Sequence, residues 1–342
     1  MDGEYATDSP ALVTGASGFI GARIVSALRA AGRPVRVATT NIDSARARLP
    51  PDIAVVAADL SDAASLKRAV KGCALVFHVA HQFGRGGAAK VNIDGTRALA
   101  EAACAGKAER FVYFSSMAAY GPPRDGPLTE ESPPILDGDA YAQTKRACEK
   151  LLADMAPDGL RHAVLQPTIV YGPRGAHWTQ RIVDEVRRSR VALPAMGQGL
   201  CNAVYVDDVA AAAVLAATRS EAVGQTFLIS GAAPVTWGEF YGAFARAADG
   251  KGVEPMESAA FAAAARRRYG PNAFVGKVLR RLERQVGGPR GLAYPDPGAQ
   301  GLYASKMDVS IDKARRLLGY APTFDFAAGM VETERWIRKS AL

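Results

Sequence analysis

A phenol and an ammonium four residues apart, in Tyr141-Ala142-Gln143-Thr144-Lys145, are the groups in this sequence best suited to moving a proton. The run from Asp139 to Met155 has helical spacing, and positions i and i+4 share a helix face, so the two side chains meet. A free tyrosine titrates near ~10, too high for acid–base work near neutrality. A cation within about 4–6 Å lowers that by about 1–3 units and favours the phenolate. Upstream, Phe114-Ser115-Ser116-Met117-Ala118-Ala119-Tyr120-Gly121 continues a strand-like run, which places Ser115 and Ser116 at the strand's carboxyl end. A Ser116 hydroxyl there can hold a substrate oxygen near Tyr141. Taken alone, a Tyr-x3-Lys pair reads more readily as a packed tyrosine beside a solvated lysine.

The elements that must position these groups select the chemical reading. Ala11 to Thr14 is a short apolar run, glycines follow at Gly15, Gly18 and Gly21, and an amphipathic run Ala22 to Ala31 comes next. Strand, glycine turn and helix in that order suit a dinucleotide pyrophosphate: the backbone turns sharply and the helix N–H groups face the phosphates. With that cofactor in place, Ser116, Tyr141 and Lys145 could move a proton while a hydride moves to or from the nicotinamide. Further strands are expected at Pro34 to Thr39, Ile53 to Ala58, Ala74 to Val79 and Arg110 to Phe114, and one opens at Ala163 to Leu165. Helices are expected at Ala64 to Val70, Asn92 to Ala105 and Asp139 to Met155. Alternating strands and helices imply right-handed crossovers, hence an α/β fold with a Rossmann-type doubly wound parallel sheet and a smaller C-terminal substrate domain. The expected division is 10–171 with 203–230 for the dinucleotide domain, and 172–202 with 231–342 for the substrate domain. The segment 250–300 holds an Ala-rich helix (Ser258 to Arg268), a basic helix-like stretch (Gly276 to Gln285) and a Gly/Pro-rich loop. The basic stretch reads as a solvated helix over the substrate pocket rather than a membrane-surface helix.

Composition narrows the class. Of the 342 residues, 49% are apolar and 22% charged, as in a soluble globular protein. The net charge of +8 suits anionic ligands or a solvated surface. No basic block is interleaved with aromatics, so a nucleic-acid partner is not expected. Cys73, Cys104, Cys148 and Cys201 form no paired motif and read as buried thiols of a reducing compartment. His78 and His81 lie at a strand end where successive side chains alternate faces, so no metal site is expected. The polar, acidic start is unlike a signal peptide, and no run of 18 apolar residues occurs. The expectation is a cytoplasmic protein without a membrane partner. Asp207-Asp208, before an Ala-rich run, reads as helix capping.

On these motifs the chain resembles the extended short-chain dehydrogenases/reductases, which include nucleotide-sugar epimerases, dihydroflavonol reductases and 3β-hydroxysteroid dehydrogenases. The matching landmarks are Thr14 to Gly21, Ala58-Asp59-Leu60, Phe77 to Ala80, Val91 to Thr96, Tyr113 to Gly121, Tyr141/Lys145, Pro167 to Pro173, Val204 to Val209 and Asp312 to Pro322. The resemblance spans residue 11 to about 337. It implies that Tyr141 is the acid/base, that Lys145 binds the nicotinamide ribose and lowers the tyrosine pKa, and that Ser116 orients the substrate. The implied cofactor set is Gly15, Ser17, Gly18, Phe19, Ile20, Gly21, Thr39, Thr40, Asn41, Asp59, Leu60, Val79, Ala80, His81, Ser115, Tyr141, Lys145, Pro167, Thr168, Ile169 and Val170. Asp59 is expected on the adenine and the turn after Pro167 beside the nicotinamide. Family members often dimerise through the helices corresponding to Asn92–Ala105 and Asp139–Met155, so a homodimer is expected.

Departures from the family pattern bear on the reaction. Met117-Ala118 replaces the Asp-Glu pair of sugar-nucleotide dehydratases. Cys201 stands where epimerases usually present Arg to a diphosphate, Gln166 replaces an Arg before the proline, and His81 replaces a small residue. Arg280, Arg281, Arg284 or Arg290 could serve a diphosphate instead. At the end of the second strand, Thr39-Thr40-Asn41 carries no acid to repel a 2′-phosphate, and Arg36, Arg46 and Arg48 are near in sequence, which favours NADP over NAD. Candidate substrate residues are Gln82, Met117, Tyr120, His177, Trp178 and Cys201. The reading is NAD(P)(H)-dependent oxidoreduction of a secondary alcohol or ketone, not a nucleotide diphosphate sugar. The alternatives are a nucleotide-sugar 4-epimerase with bound NAD and a non-catalytic dinucleotide sensor.

Overall fold

Short apolar runs bounded by glycine, proline and aspartate fold as parallel strands, because helices cover both faces and leave no solvated side. The computed structural model describes residues 9–47, 49–84, 87–137, 139–270, 292–295 and 300–340. Seven strands form one sheet: β1 (Ala11–Thr14), β2 (Val35–Thr39), β3 (Ala54–Ala57), β4 (Leu75–His78), β5 (Arg110–Phe114), β6 (His162–Pro167) and β7 (Gln225–Ile229). Their order is β7-β6-β5-β4-β1-β2-β3, with every neighbouring pair parallel. The chain runs outward from β1 to β3 and crosses back to β4. The crevice beyond the carboxyl ends of β1 and β4 is therefore the switch point at which doubly wound sheets hold ligands.

Two helical layers enclose the sheet. On one face α1 (Phe19–Ala30) buries Gly21, Ile24, Val25 and Leu28, a single stripe at helical spacing. The other helices leading into the second half are α2 (Ile42–Arg46), α3 (Ala63–Val70), α4 (Ala88–Ala105), α5 (Ala140–Asp154), α6 (Arg181–Arg188), α7 (Val206–Thr218) and α8 (Trp237–Ala247). The small buried side chains of α7, Ala212, Ala213 and Ala216, let it lie close to α1 in one apolar cluster. Leu66 of α3, Leu99 of α4 and Leu152 of α5 fill the opposite face. Beyond Gly172 a second cluster gathers Trp237, Phe240, Tyr241 and Phe244 of α8, Ile182 and Val186 of α6, and Tyr303 and Met330. The C-terminal chain is stitched back to the sheet domain. Met307–Val309 pairs in parallel with Gly126–Leu128, and the Tyr320 hydroxyl donates to Ser230 O at 2.9 Å.

Several expectations shift. Helix α4 begins at Ala88, a turn before Asn92, and Gly87 before it takes a left-handed conformation (φ 99°) that glycine adopts without strain. Strand β7 and helix α2 carry too little pattern to announce themselves. Asp207 and Asp208 do not cap: Tyr205 precedes the helix without a side-chain cap. Asp208 instead accepts from Thr323 N and Thr323 Oγ1, both at 2.8 Å, while Asp207 pairs with Arg23 at 3.1 Å. Both still lie in the first turn, where negative charge meets the positive helix end. The Ala-rich helix runs Ser258–Tyr269. The expected helix 276–285 lies outside the described residues. Among the described residues, no helix is long and apolar enough to cross a membrane.

Candidate active site

The β1–α1 turn is built for close backbone approach. Gly15 has φ +69°, and a Cβ there would meet Ala80 N at 2.8 Å. A Cβ at Gly21 would stand 2.3 Å from Gly15 O, so nothing larger than hydrogen fits. Gly18 precedes α1 with no side-chain cap, which leaves the first N–H groups of the helix directed at the crevice, with Ser17 exposed beside them. Phe19 and Ile20 open that helix. This glycine cradle and open helix end fit a dinucleotide pyrophosphate.

The facing wall is the β4 end. Thr14 Oγ1 accepts from Val79 N and Ala80 N, both at 3.2 Å, and lies 3.0 Å from His78 Nδ1; His78 Nε2 is 3.0 Å from Thr96 Oγ1. Buried Asn92 fixes the next residues: Gln82 N donates to its Oδ1 at 2.8 Å, and its Nδ2 donates to Gln82 O at 2.9 Å. His81 then stands edge-on to Tyr141 (5.1 Å between ring centroids), and Phe83 stacks on Tyr141 at 6.0 Å. Burial, with Lys145 nearby, holds His81 neutral by lowering its pKa to about 4. Among the described residues no group of three or more metal-ligating side chains gathers.

The proton-handling groups converge as their spacing predicts. The Ser116 side chain lies beside the Tyr141 phenol, its hydroxyl oxygen accepting from Ala118 N at 3.2 Å, and Lys145 Nζ lies 5.6 Å from the Tyr141 ring centroid and 5.0 Å from that of Tyr113. Their electrostatics differ from the sequence expectation. Burial dominates and raises the phenol; the Ser116 hydrogen bond opposes it, and Asp139 adds to the rise. Lys145 is not among the causes. Its ammonium donates to Phe114 O at 2.6 Å, and burial lowers it to about 8. In this geometry burial is the largest influence on both groups, raising the phenol and lowering the ammonium.

The remaining candidates divide. Thr39 Oγ1 accepts from Asn41 N at 3.1 Å, and Asn41 Oδ1 caps α2 through Ser44 N at 2.8 Å, leaving Thr40 exposed. Arg36 is committed elsewhere: its Nη1 donates to Ala69 O at 2.9 Å and Lys71 O at 2.7 Å, closing the end of α3, so it is no phosphate ligand. Arg46 is exposed, and Arg48 lies outside the described residues. Asp59 accepts from Ser61 N (2.7 Å) and Ser61 Oγ (2.6 Å), which lowers its pKa, and Leu60 presses on Gly95 of α4. Pro167 ends β6, Thr168 is bonded to Ile229 O, and Ile169 and Val170 start the short strand Ile169–Tyr171.

Cys201 is corrected: it is wholly buried in the C-terminal cluster and faces no cleft. Tyr120 turns its hydroxyl inward to Gln166 Oε1 at 3.0 Å rather than toward a ligand. Met117 is half-buried between two apolar clusters. His177 packs edge-on to Trp178, which leans on Trp237 at 5.5 Å. Arg280, Arg281, Arg284 and Arg290 lie outside the described residues. Sequence reading missed Phe83 and Glu149; the second had a signal, since it follows Tyr141 and Lys145 at successive four-residue steps.

Residues 11–230 match the NAD dependent epimerase/dehydratase family. The 2-alkyl-3-oxoalkanoate reductase of Shewanella oneidensis is 30% identical over 69% of this chain and 65% of its own length. The 3 beta-hydroxysteroid dehydrogenase/Delta 5-->4-isomerase of Mycobacterium tuberculosis is 29% identical over 94% of this chain and 88% of its own. Among solved structures, the epimerase Mth375 of Methanothermobacter thermautotrophicus superposes with a TM-score of 0.75 at 23% identity, over 98% of this chain and 96% of that one. That likeness concerns the fold alone. With the glycine cradle, the switch-point crevice and the family match in agreement, this chain belongs to the NAD-dependent epimerase/dehydratase family, within the extended short-chain dehydrogenases/reductases.

Proposed function

We propose that the chain reduces an apolar ketone to a secondary alcohol, with NADP(H) preferred and Tyr141 as the acid. The observation that carries the reading is the meeting of the Ser116 hydroxyl with the Tyr141 phenol beside the glycine cradle. The bound cofactor supplies the hydride. Gly15 to Gly21 and the open end of α1 hold its pyrophosphate, Thr39 and Thr40 the adenosine ribose, Asp59 and Leu60 the adenine. Lys145 and the turn from Pro167 to Val170 hold the nicotinamide riboside. Ser116 Oγ holds the substrate oxygen, and the Tyr141 hydroxyl gives that oxygen its proton. A phenol raised by burial stays protonated, the form that can give a proton to a carbonyl oxygen.

The mouth of the site sets the polarity of the substrate. Phe83 is 77% exposed while stacked on Tyr141, and the neutral His81 beside it brings no charge. Buried Cys201 offers nothing to a diphosphate. Two relatives carry names that specify a 2-alkyl-3-oxoalkanoate and a 3 beta-hydroxysteroid. The preference for NADP(H) rests on a β2 end without a carboxylate and on exposed Arg46. A homodimer through α4 and α5, which pack side by side, belongs to the same reading.

The test supplies NADPH with 3-oxo acids and 3-oxosteroids and follows NADPH consumption. Tyr141→Phe lowers kcat on the order of 10²–10⁴-fold while NADPH affinity stays within about threefold. A variant keeping more than about a tenth of the rate removes Tyr141 from this role. Protein that purifies with NAD and shows no net turnover moves the assignment to a 4-epimerase.

A further inference from the structure

The turn 115–121 carries Ser116 beside Tyr141, and Met117–Tyr120 is a single short 3₁₀ turn closed from within by Ala118 N donating to Ser116 Oγ at 3.2 Å, Ala119 N to Ser116 O at 3.0 Å and Gly121 N to Ala118 O at 3.0 Å. Backbone bonds from Ser115 N to Leu165 O and from Ile135 N to Tyr120 O tie its ends, and its side-chain tethers come largely from one helix. Lys145 donates to Phe114 O at 2.6 Å, Arg146 Nη1 donates to Ala119 O at 3.0 Å, and Glu149 Oε1 accepts from the Ser115 hydroxyl. A further tether crosses the sheet: Tyr120 donates to Gln166 Oε1 at 3.0 Å, and Gln166 Nε2 donates to the same Glu149 Oε1 at 2.9 Å. One carboxylate oxygen thus clamps both ends of the turn, residue 115 directly and residue 120 through Gln166. Tyr141, Lys145 and Glu149 share one face of α5, so the helix carrying the phenol also fixes the loop carrying its partner. Gln166 is 2% exposed, and its amide offers both a donor and an acceptor, which the relay uses.

We propose that Glu149, with Gln166 as relay, is the positioning residue for Ser116, setting the hydroxyl against the Tyr141 phenol. It acts through the turn rather than on the substrate. The proposal rests on Ser116 and Tyr141 being the reacting pair.

Two readouts test it. Amide hydrogen exchange needs no substrate: Glu149→Met, which removes the acceptor while keeping volume, raises exchange of residues 116–120 at least about tenfold and leaves β4 unchanged. Glu149→Gln, which keeps an acceptor oxygen, restores most of the protection. In the ketone assay Glu149→Met lowers kcat about tenfold or more with little change in KM, but adds no further loss in a Ser116→Ala background. Should Glu149→Met not fold, Gln166→Leu severs only the Tyr120 side and gives the same pattern at smaller amplitude. Unchanged exchange at 116–120 overturns the clamp even in an active enzyme, as does a loss that multiplies with Ser116→Ala. An enzyme that reduces no ketone but shows the exchange result overturns the functional reading and keeps the clamp.

Discussion

At the scale of single residues, the site is governed by desolvation more than by the attraction between its charges. Tyr141 and Lys145 both lose water when α5 docks, and each moves toward its neutral form. The unfolded Lys145 ammonium titrates near 10.5, and burial brings the folded group to about 8. Between those values the unfolded chain binds more protons, so stability rises with pH there. Below about 8 both states are charged and the full burial cost stands, at most about 3 kcal/mol. Lys145→Met removes that cost and forfeits one hydrogen bond to Phe114 O, about 1–3 kcal/mol in the other direction. The variant is therefore expected to be no less stable than wild type at pH 7, although it loses turnover. Urea unfolding at pH 7 and pH 9.5 checks this: wild type gains on the variant as pH rises, and a parallel response in both sinks the argument.

At the scale of elements, the proposed preference for NADP(H) rests on the β2–α2 turn. Thr39→Asp keeps an acceptor for the Asn41 N–H and adds a carboxylate suited to ribose hydroxyls and hostile to a 2′-phosphate. Titration should show NADPH affinity falling at least about tenfold while NADH affinity holds or improves; tighter NADH binding by the unmodified chain would overturn the stated preference. The glycine turn and the Tyr141/Lys145 face were legible in the sequence because each is set by local geometry, a missing Cβ in one case and helical spacing in the other. What the sequence hid is long-range. Asp208 is answered by Thr323 and Phe324, far along the chain, so no local pattern could separate it from a cap. Arg36 looked available because its carbonyl partners, Ala69 and Lys71, belong to another crossover. Gln166 showed only as an oddity before a proline until β6 was laid beside α5 and the turn at Tyr120. Cys201 sat at a meaningful position in the motif, and only packing places its thiol inside the aromatic cluster.

At the scale of the whole molecule, the buried imidazoles make the fold sensitive to acid. All four histidines in the chain, His78, His81, His162 and His177, are held toward the neutral form, with burial the largest cause in each. His78 is the extreme case. It is 1% exposed, lodged between Thr14 of β1 and Thr96 of α4, and lowered to about 3. An unfolded histidine titrates near ~6.5, so below that pH the unfolded chain binds a proton that the folded chain refuses. The stability His78 contributes is thus complete above about 6.5 and is lost progressively as pH falls toward its folded value. That loss amounts to about 2 kcal/mol between pH 7 and pH 5 from this residue alone. The net charge of +8 works in the same direction, since each added proton increases self-repulsion of the compact state. Because His78 joins the β1 and β4 ends beneath the glycine cradle, its protonation should loosen the cofactor crevice, while that of His177 acts on the Trp178–Trp237 contact of the C-terminal aromatic cluster. Urea unfolding of wild type and His78→Gln at pH 7 and pH 5 isolates the term. The variant starts from a lower stability, having lost a packed ring, but its drop between the two pH values should be smaller by about 2 kcal/mol. Equal drops in the two proteins would mean that this imidazole titrates alike in both states and that the acid response originates elsewhere.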